Sequence, residues 1–243
     1  HKEHLVALAR EARRDGDTRW HLDALSEVCG AGNTLVVTRD PKGRATRLDV
    51  HNTDGPAAVR ALEQALGASV GGRRVVILGA GGTARAVGTS LVQAGAEVHV
   101  ANRTPDRARV LVEDLVRAFP AEAAAPRAFT LAMAGLATAL RDLAPAAVIN
   151  CTTLGMTGGA GEGRSPLDDE ALTALPPRCI VFDVVYRPPV TPLLAAAAGA
   201  GRPTLDGAAL FLHQAAAQFE LWTGRPAPRG LFTEIVRETL GRP

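Results

Sequence analysis

The feature that most constrains this chain is a short apolar run ending in a glycine cluster. Arg74-Val75-Val76-Ile77-Leu78 leads directly into Gly79-Ala80-Gly81-Gly82-Thr83-Ala84, and helical spacing then continues through Ala94. The cluster satisfies G-x-G-x-x-G/A, with Ala84 in the last place. The first glycine permits a tight turn, and the second lets backbone N–H groups approach a pyrophosphate. The small last residue lets helix and strand pack closely. A strand that is apolar on both faces has to be covered on both, which predicts parallel neighbours joined by helical crossovers.

The following segments fit that plan. Glu97–Ala101 reads as a strand and Asp106–Phe119 as a helix, followed by an Ala/Pro connector over Ala121–Arg127. Ala146–Asn150 and Cys179–Asp183 are two more buried strands, and Leu193–Ala198 is a helix. Four glycines among the seven residues Thr157–Gly163 predict a mobile loop. On the N-terminal side, apolar spacing predicts helices over Lys2–Arg14 and Leu22–Cys29. A hairpin of Asn33–Thr38 and Arg44–Val50 turns at Asp40–Gly43, and a helix over Pro56–Leu66 follows. From Gly207 onward only helix is visible, broken near Gly224–Gly230. The fold class is α/β: a Rossmann-like parallel-sheet domain over residues 56–205, and a second α/β unit of residues 1–55 and 206–243 closed by C-terminal helices.

Composition removes whole classes of function. Of the residues, 47% are hydrophobic and 21% charged, so the chain can bury a full core. The 27 basic and 25 acidic side chains nearly cancel, which leaves no basic face for nucleic acid. No apolar run approaches the ~20 residues of a membrane span, and no secretory signal opens the sequence. The cysteines Cys29, Cys151 and Cys179 are isolated and odd in number, which argues for a reducing, cytoplasmic setting. The His1/His4 pair around Glu3 reads as a helix surface, so no metal site is expected.

The end of the strand after the glycine loop selects the cofactor. NAD sites place a carboxylate there to accept from the ribose 2′-hydroxyl. This chain has Asn102-Arg103-Thr104, with Arg107 one helical turn later. A carboxylate repels a 2′-phosphate, whereas a guanidinium binds it through a charge-assisted, bidentate contact. NADP is therefore expected over NAD.

Several further segments occur in a telling order. They are Asn52-Thr53-Asp54-Gly55, the loop Gly79–Ala84, Asn102-Arg103-Thr104 and Asn150–Met156. Asp183–Pro188, Thr191–Leu194, Gln214-Ala215-Ala216 and Trp222-Thr223-Gly224 complete the set. Together they resemble shikimate dehydrogenase, the NADP-dependent family that interconverts 3-dehydroshikimate and shikimate. The resemblance implies a substrate domain followed by a Rossmann-like domain, with C-terminal helices packing back on the first. Lys2 matches the catalytic lysine of a Pro-His-Lys type motif, and Asp54 matches its carboxylate partner. Asn33, Gln214 and Tyr186 match substrate contacts. Cofactor contacts are implied at Gly79, Ala80, Gly81, Gly82, Thr83, Ala84, Asn102, Arg103, Thr104 and Arg107, and at Thr152, Leu154, Gly155, Met156, Val184 and Gly207.

By its residues alone, Asp54 reads first as a helix N-cap, since Asp is a preferred capping residue, a role compatible with catalysis. Lys2 alone reads as an exposed helix-start cation. The expected partner is a small molecule, shikimate or 3-dehydroshikimate, with a fused upstream domain or a second copy of the chain as the macromolecular candidates. In the family the lysine closes the first third of the substrate domain, and the strands before it are not in this sequence. Lys2 is accordingly expected at a frayed end with little to hold its amine, the chain alone binding NADP but turning over shikimate poorly. Two alternatives remain open: a quinate or quinate/shikimate dehydrogenase, and a non-catalytic dehydrogenase-like sensing module.

Overall fold

The computed structural model describes residues 2–119 and 128–240, so the expected connector Ala121–Arg127 and His1 lie outside the described residues. The chain opens with α1 (Lys2–Arg14), β1 (Trp20–Leu22), α2 (Ala24–Cys29), β2 (Thr34–Arg39), β3 (Ala45–His51) and α3 (Asp54–Leu66). It continues with β4 (Arg74–Leu78), α4 (Gly82–Gln93), β5 (Glu97–Ala101), α5 (Pro105–Ala118), β6 (Ala128–Leu131), α6 (Leu136–Leu143) and β7 (Ala147–Asn150). Then follow α7 (Asp169–Ala174), β8 (Ile180–Asp183), α8 (Pro192–Gly199), β9 (Thr204–Leu205), α9 (Gly207–Thr223) and α10 (Arg229–Leu240).

The larger sheet has six parallel strands in the order β6-β5-β4-β7-β8-β9. Alternate residues of β4 serve opposite faces. Val75 and Ile77 pack with Leu62, Val87 and Leu91 on one side, while Val76 and Leu78 pack with Leu136, Leu140, Leu172 and Leu193 on the other. This double burial is what the continuous apolar runs demanded. The chain reverses direction across the sheet between β4 and β7, and such a switch point leaves a crevice beyond the strand ends.

The smaller sheet runs β1-β3-β2, with β3 antiparallel to β2 and parallel to β1. The expected hairpin forms, and its turn is fixed by Asp40, whose Oδ1 accepts from the N–H groups of Lys42 and Arg44 at 2.9 Å. The helix expected over Leu22–Cys29 is shorter. Leu22 ends β1, and Asp23 caps α2 by accepting from the Ser26 N–H. Residues 157–163, expected as a mobile loop, form a run of tight turns. The Gly155 N–H donates to the Gly161 carbonyl at 2.8 Å, and the Gly158 N–H to the Glu162 carboxylate at 2.9 Å. Among the described residues no helix is long and apolar enough to cross a membrane.

Helix α3 joins the two sheets, packing against α4 on one side and α9 on the other. Its approach to α4 needs a glycine. A Cβ on Gly55 would stand 2.3 Å from Ser90 Oγ and 2.5 Å from the Ala86 carbonyl oxygen. Gly55→Ala therefore forces the helices apart at a cost of about 1–3 kcal/mol. Thermal unfolding should show a Tm lower by roughly 3–10 °C; an unchanged Tm would mean that α3 slides on α4 freely.

Candidate active site

The glycine turn lies at the C-terminal end of β4, beside the switch point. Gly79 has φ +110°, and a Cβ there would sit 3.0 Å from Thr152 Cγ2 and 3.2 Å from the Cys151 carbonyl carbon, so both conformation and space require glycine. Gly81 takes the N-cap position of α4 without a side chain, and the buried Ala84 lets the helix close on the strand. Helix geometry leaves the first-turn N–H groups of Gly82, Thr83 and Ala84 without intrahelical acceptors, and the helix dipole adds partial positive charge there. Beside this turn a cavity of about 300 Å³ is lined by Glu3, Ala80, Arg85, Asp106, Arg107 and Val110. Asn102 Nδ2 donates to the Thr104 carbonyl at 2.9 Å, shaping the loop that carries Arg103. Arg103 and Arg107 are exposed, and among the described residues no side chain or carbonyl engages either guanidinium. Arg107 lines this cavity, and Arg103 lies on the loop that leads into α5.

A second group of residues converges next to the turn. Lys2 Nζ donates to Asp54 Oδ2 and to Thr83 Oγ1, the latter at 3.1 Å. Asn33 Nδ2 reaches Asp54 Oδ1 at 2.8 Å, Thr53 Oγ1 at 2.9 Å and Gln214 Oε1 at 3.3 Å. The Thr53 N–H donates to Asn33 Oδ1 at 2.9 Å, which fixes the orientation of that amide. Six side chains, from α1, the α2–β2 loop, the N-cap and first residue of α3, α4 and α9, thus form one hydrogen-bonded cluster.

Two expectations are corrected here. Asp54 does not cap α3: Thr53 holds the cap position, Asn52 Oδ1 accepts from the N–H groups of Asp54 and Gly55 at 3.1 and 3.2 Å, and the Asp54 carboxylate is left for Lys2 and Asn33. Lys2 is not frayed. Its carbonyl accepts from the Gly32 N–H at 3.0 Å, and its amine has two acceptors.

The ends of β7 and β8 form the opposite rim. Asn150 Nδ2 donates to Asp183 Oδ1 at 3.0 Å, and Thr191 Oγ1 donates to Asp183 Oδ2 at 2.6 Å. Burial pushes the Asp183 carboxyl above the usual carboxylate range, opposed by Thr191, the Val185 N–H and Asn150. Asn150 Oδ1 also accepts from the Thr152 N–H and hydroxyl, and Thr152 Oγ1 accepts from the Leu154 N–H, so the loop that carries Thr152, Leu154, Gly155 and Met156 is held at its root. Gly207 opens α9 directly beneath Val184 and Val185, whose carbonyls a Cβ would approach to 2.6 Å. Among the described residues Tyr186 makes none of the hydrogen bonds of the Lys2 cluster. It is exposed, and its ring lies tilted against Phe211 at 5.4 Å, three residues before Gln214 on α9.

Sequence reasoning missed Arg85 and Glu3 as cavity walls and Thr83 as a partner of Lys2. It also missed Gln218, which donates to Thr34 Oγ1 at 3.0 Å and ties α9 to β2. Arg85 follows the glycine motif on the helix face that looks toward α5, a signal that could have found it. Nothing local connects Lys2 to Thr83, which lies 81 positions away.

Comparison with known proteins accounts for these features together. Residues 61–126 match the family model described as shikimate / quinate 5-dehydrogenase, and residues 207–239 match the shikimate 5′-dehydrogenase C-terminal domain. Curated relatives named shikimate dehydrogenase (NADP(+)) are 34–42% identical to the chain, which spans 63–74% of their length. One of these, from Citrifermentans bemidjiense, is 39% identical over 90% of this chain and 70% of its own. Among solved structures, a quinate dehydrogenase from Corynebacterium glutamicum in complex with NAD superimposes with a TM-score of 0.75 at 28% identity, covering 97% of this chain and 83% of that one. Shikimate 5-dehydrogenase from Thermus thermophilus in complex with NADP(H) and shikimate gives 0.71 at 28% identity, covering 99% and 85%. By its sequence and its fold alike, the chain belongs to the shikimate dehydrogenase family.

Proposed function

We propose that this chain catalyses the NADP-dependent, reversible reduction of 3-dehydroshikimate to shikimate, with Lys2 and Asp54 as its acid–base pair. The observation that carries this reading is the joining of Lys2, Asp54, Asn33 and Gln214 into one polar cluster directly against the glycine turn. In this reading residues 1–55 and 206–243 form the substrate domain, and residues 56–205 form the cofactor domain.

The cofactor's demands fit the residues present. The turn Gly79–Ala84 has at Gly79 a positive φ and close neighbours that disfavour any Cβ, and it offers first-turn N–H groups to a diphosphate. Arg103 and Arg107 have no partner among the described residues and face solvent, open to a 2′-phosphate. Asn102, Thr104, Thr152, Leu154, Gly155, Met156, Val184 and Gly207 would line the rest of its path. When bound, NADPH supplies a hydride to the ring ketone. The remaining work belongs to the protein. The alkoxide left on the substrate needs a proton, and the Lys2 ammonium is the donor. Asp54 and the Thr83 hydroxyl hold that ammonium in place, and in the reverse direction the same amine takes the proton back. Asn33 and Gln214 offer amide groups to the substrate hydroxyls, and Tyr186 covers the outer rim. The buried free cysteines support a cytoplasmic location. The small-molecule substrate is the partner this reading requires, and light scattering tests whether a second copy joins it.

The competing assignment is a quinate dehydrogenase using NAD, favoured by the Corynebacterium glutamicum structure and disfavoured by Arg103. Following absorbance at the nicotinamide band, with shikimate and quinate each tested against NADP and NAD, should give turnover with the shikimate–NADP pair. Turnover with quinate and NAD alone would overturn the assignment.

Arg103→Ala removes a charge-assisted contact worth about 1.5–3 kcal/mol. Titrations should then show NADP affinity falling about 10- to 100-fold with NAD affinity nearly unchanged. An equal loss for both would make Arg103 structural. Lys2→Ala and Asp54→Asn should each lower kcat by a factor on the order of 10²–10⁴ with a smaller change in KM. Because the pair acts as a unit, the double variant should be little worse than the poorer single one. Full turnover by Lys2→Ala would sink the acid–base role.

A further inference from the structure

The Lys2 amine is held from two directions by two different helices. Asp54, on α3, is one anchor, and its side chain is only 5% exposed. Thr83, in the first turn of α4, is the other. The lysine side chain itself is 37% exposed, so packing alone does not fix its rotamer. One acceptor would leave the ammonium free to swing about the carboxylate, whereas a second acceptor on a separate element gives it a direction.

The backbone reinforces this placement. A Cβ on Gly82 would meet Lys2 Cβ at 3.4 Å, which shows how closely the stem of the lysine lies against the glycine turn. Threonine is a poorer helix former than alanine at such a position. Its hydroxyl does not bond back to its own helix among the described contacts but crosses to residue 2. By accepting from Lys2 it keeps its own hydrogen available. Its backbone N–H meanwhile belongs to the turn that faces a cofactor phosphate.

We propose that Thr83 is a positioning residue that couples the cofactor turn to the Lys2 amine. This rests on the reading of Lys2 as the proton donor. An anion settling on the α4 turn immobilises Thr83 and thereby steadies the ammonium, so the donor is set before the ketone arrives.

The chain contains only two lysines, Lys2 and Lys42, which makes the idea directly measurable. Lys42 lies in the exposed β2–β3 turn and serves as an internal reference. In protein labelled with ¹⁵N-lysine, hydrogen exchange of the two ammonium groups is read by NMR, with and without NADP. Lys2 should exchange more slowly than Lys42, and more slowly still with NADP. Thr83→Ala should speed Lys2 exchange several-fold and abolish the NADP effect, while Thr83→Ser restores both. NADP affinity should change by less than about threefold, because the backbone donors remain. Turnover should fall about tenfold in kcat with KM nearly constant, the pattern of a displaced catalytic group. Lys2 exchange in Thr83→Ala equal to that of the unsubstituted protein, or no rescue by serine, would overturn the proposal. The exchange rates decide the coupling by themselves. Turnover of Lys2→Ala, measured alongside, decides separately whether that amine is the proton donor.

Discussion

A carboxylate on a side chain only 5% exposed cannot stand alone, and the compensation of Asp54 organises this molecule. Its two oxygens recruit Lys2 from α1 and Asn33 from the loop before β2, and Asn33 in turn reaches Gln214 on α9. Elements distant in sequence are therefore held to one point by a charge that burial would otherwise forbid. Pairing of this kind adds little net stability, since desolvation offsets most of the attraction. Its effect is geometric: it decides which side chains face one another across the cleft.

The larger sheet supplies the rigid half of that cleft. Its strands are buried on both faces, so β4 delivers the glycine turn at a fixed height and angle. Order at the strand ends comes from polar side chains and not from apolar packing. Asn150, Asp183 and Thr191 satisfy one another's buried side chains where β7 and β8 stop. The close crossing of α3 on α4 at Gly55 then sets the distance between the Asp54 cluster and the turn. In the proposed reaction a hydride donor and a proton donor act on adjacent atoms, so this distance is the one that reading depends on.

The short elements were the least legible in sequence. β1, β6 and β9 have three, four and two residues, too few for period-2 alternation to declare itself, and they exist because a neighbouring strand offers an open edge. Residues 157–163 looked loose because glycine is permissive, yet hydrogen bonds from Gly155 and Gly158 fold them into turns. Asp54 was legible as a helix-start residue but not as one relieved of capping, because that depends on Asn52 bending its side chain back onto the helix.

By itself the sequence determined the α/β class, the parallel sheet, the glycine turn after β4 and the arginines beyond β5. Each of these is written in local spacing, where side-chain periodicity and backbone sterics act within a few residues. The pairing of Lys2 with Asp54, and of Lys2 with Thr83, spans 52 and 81 positions. Only the packing of α1, α3 and α4 brings those groups within hydrogen-bond reach, because no short-range rule relates residues whose separation is set by where three helices come to rest.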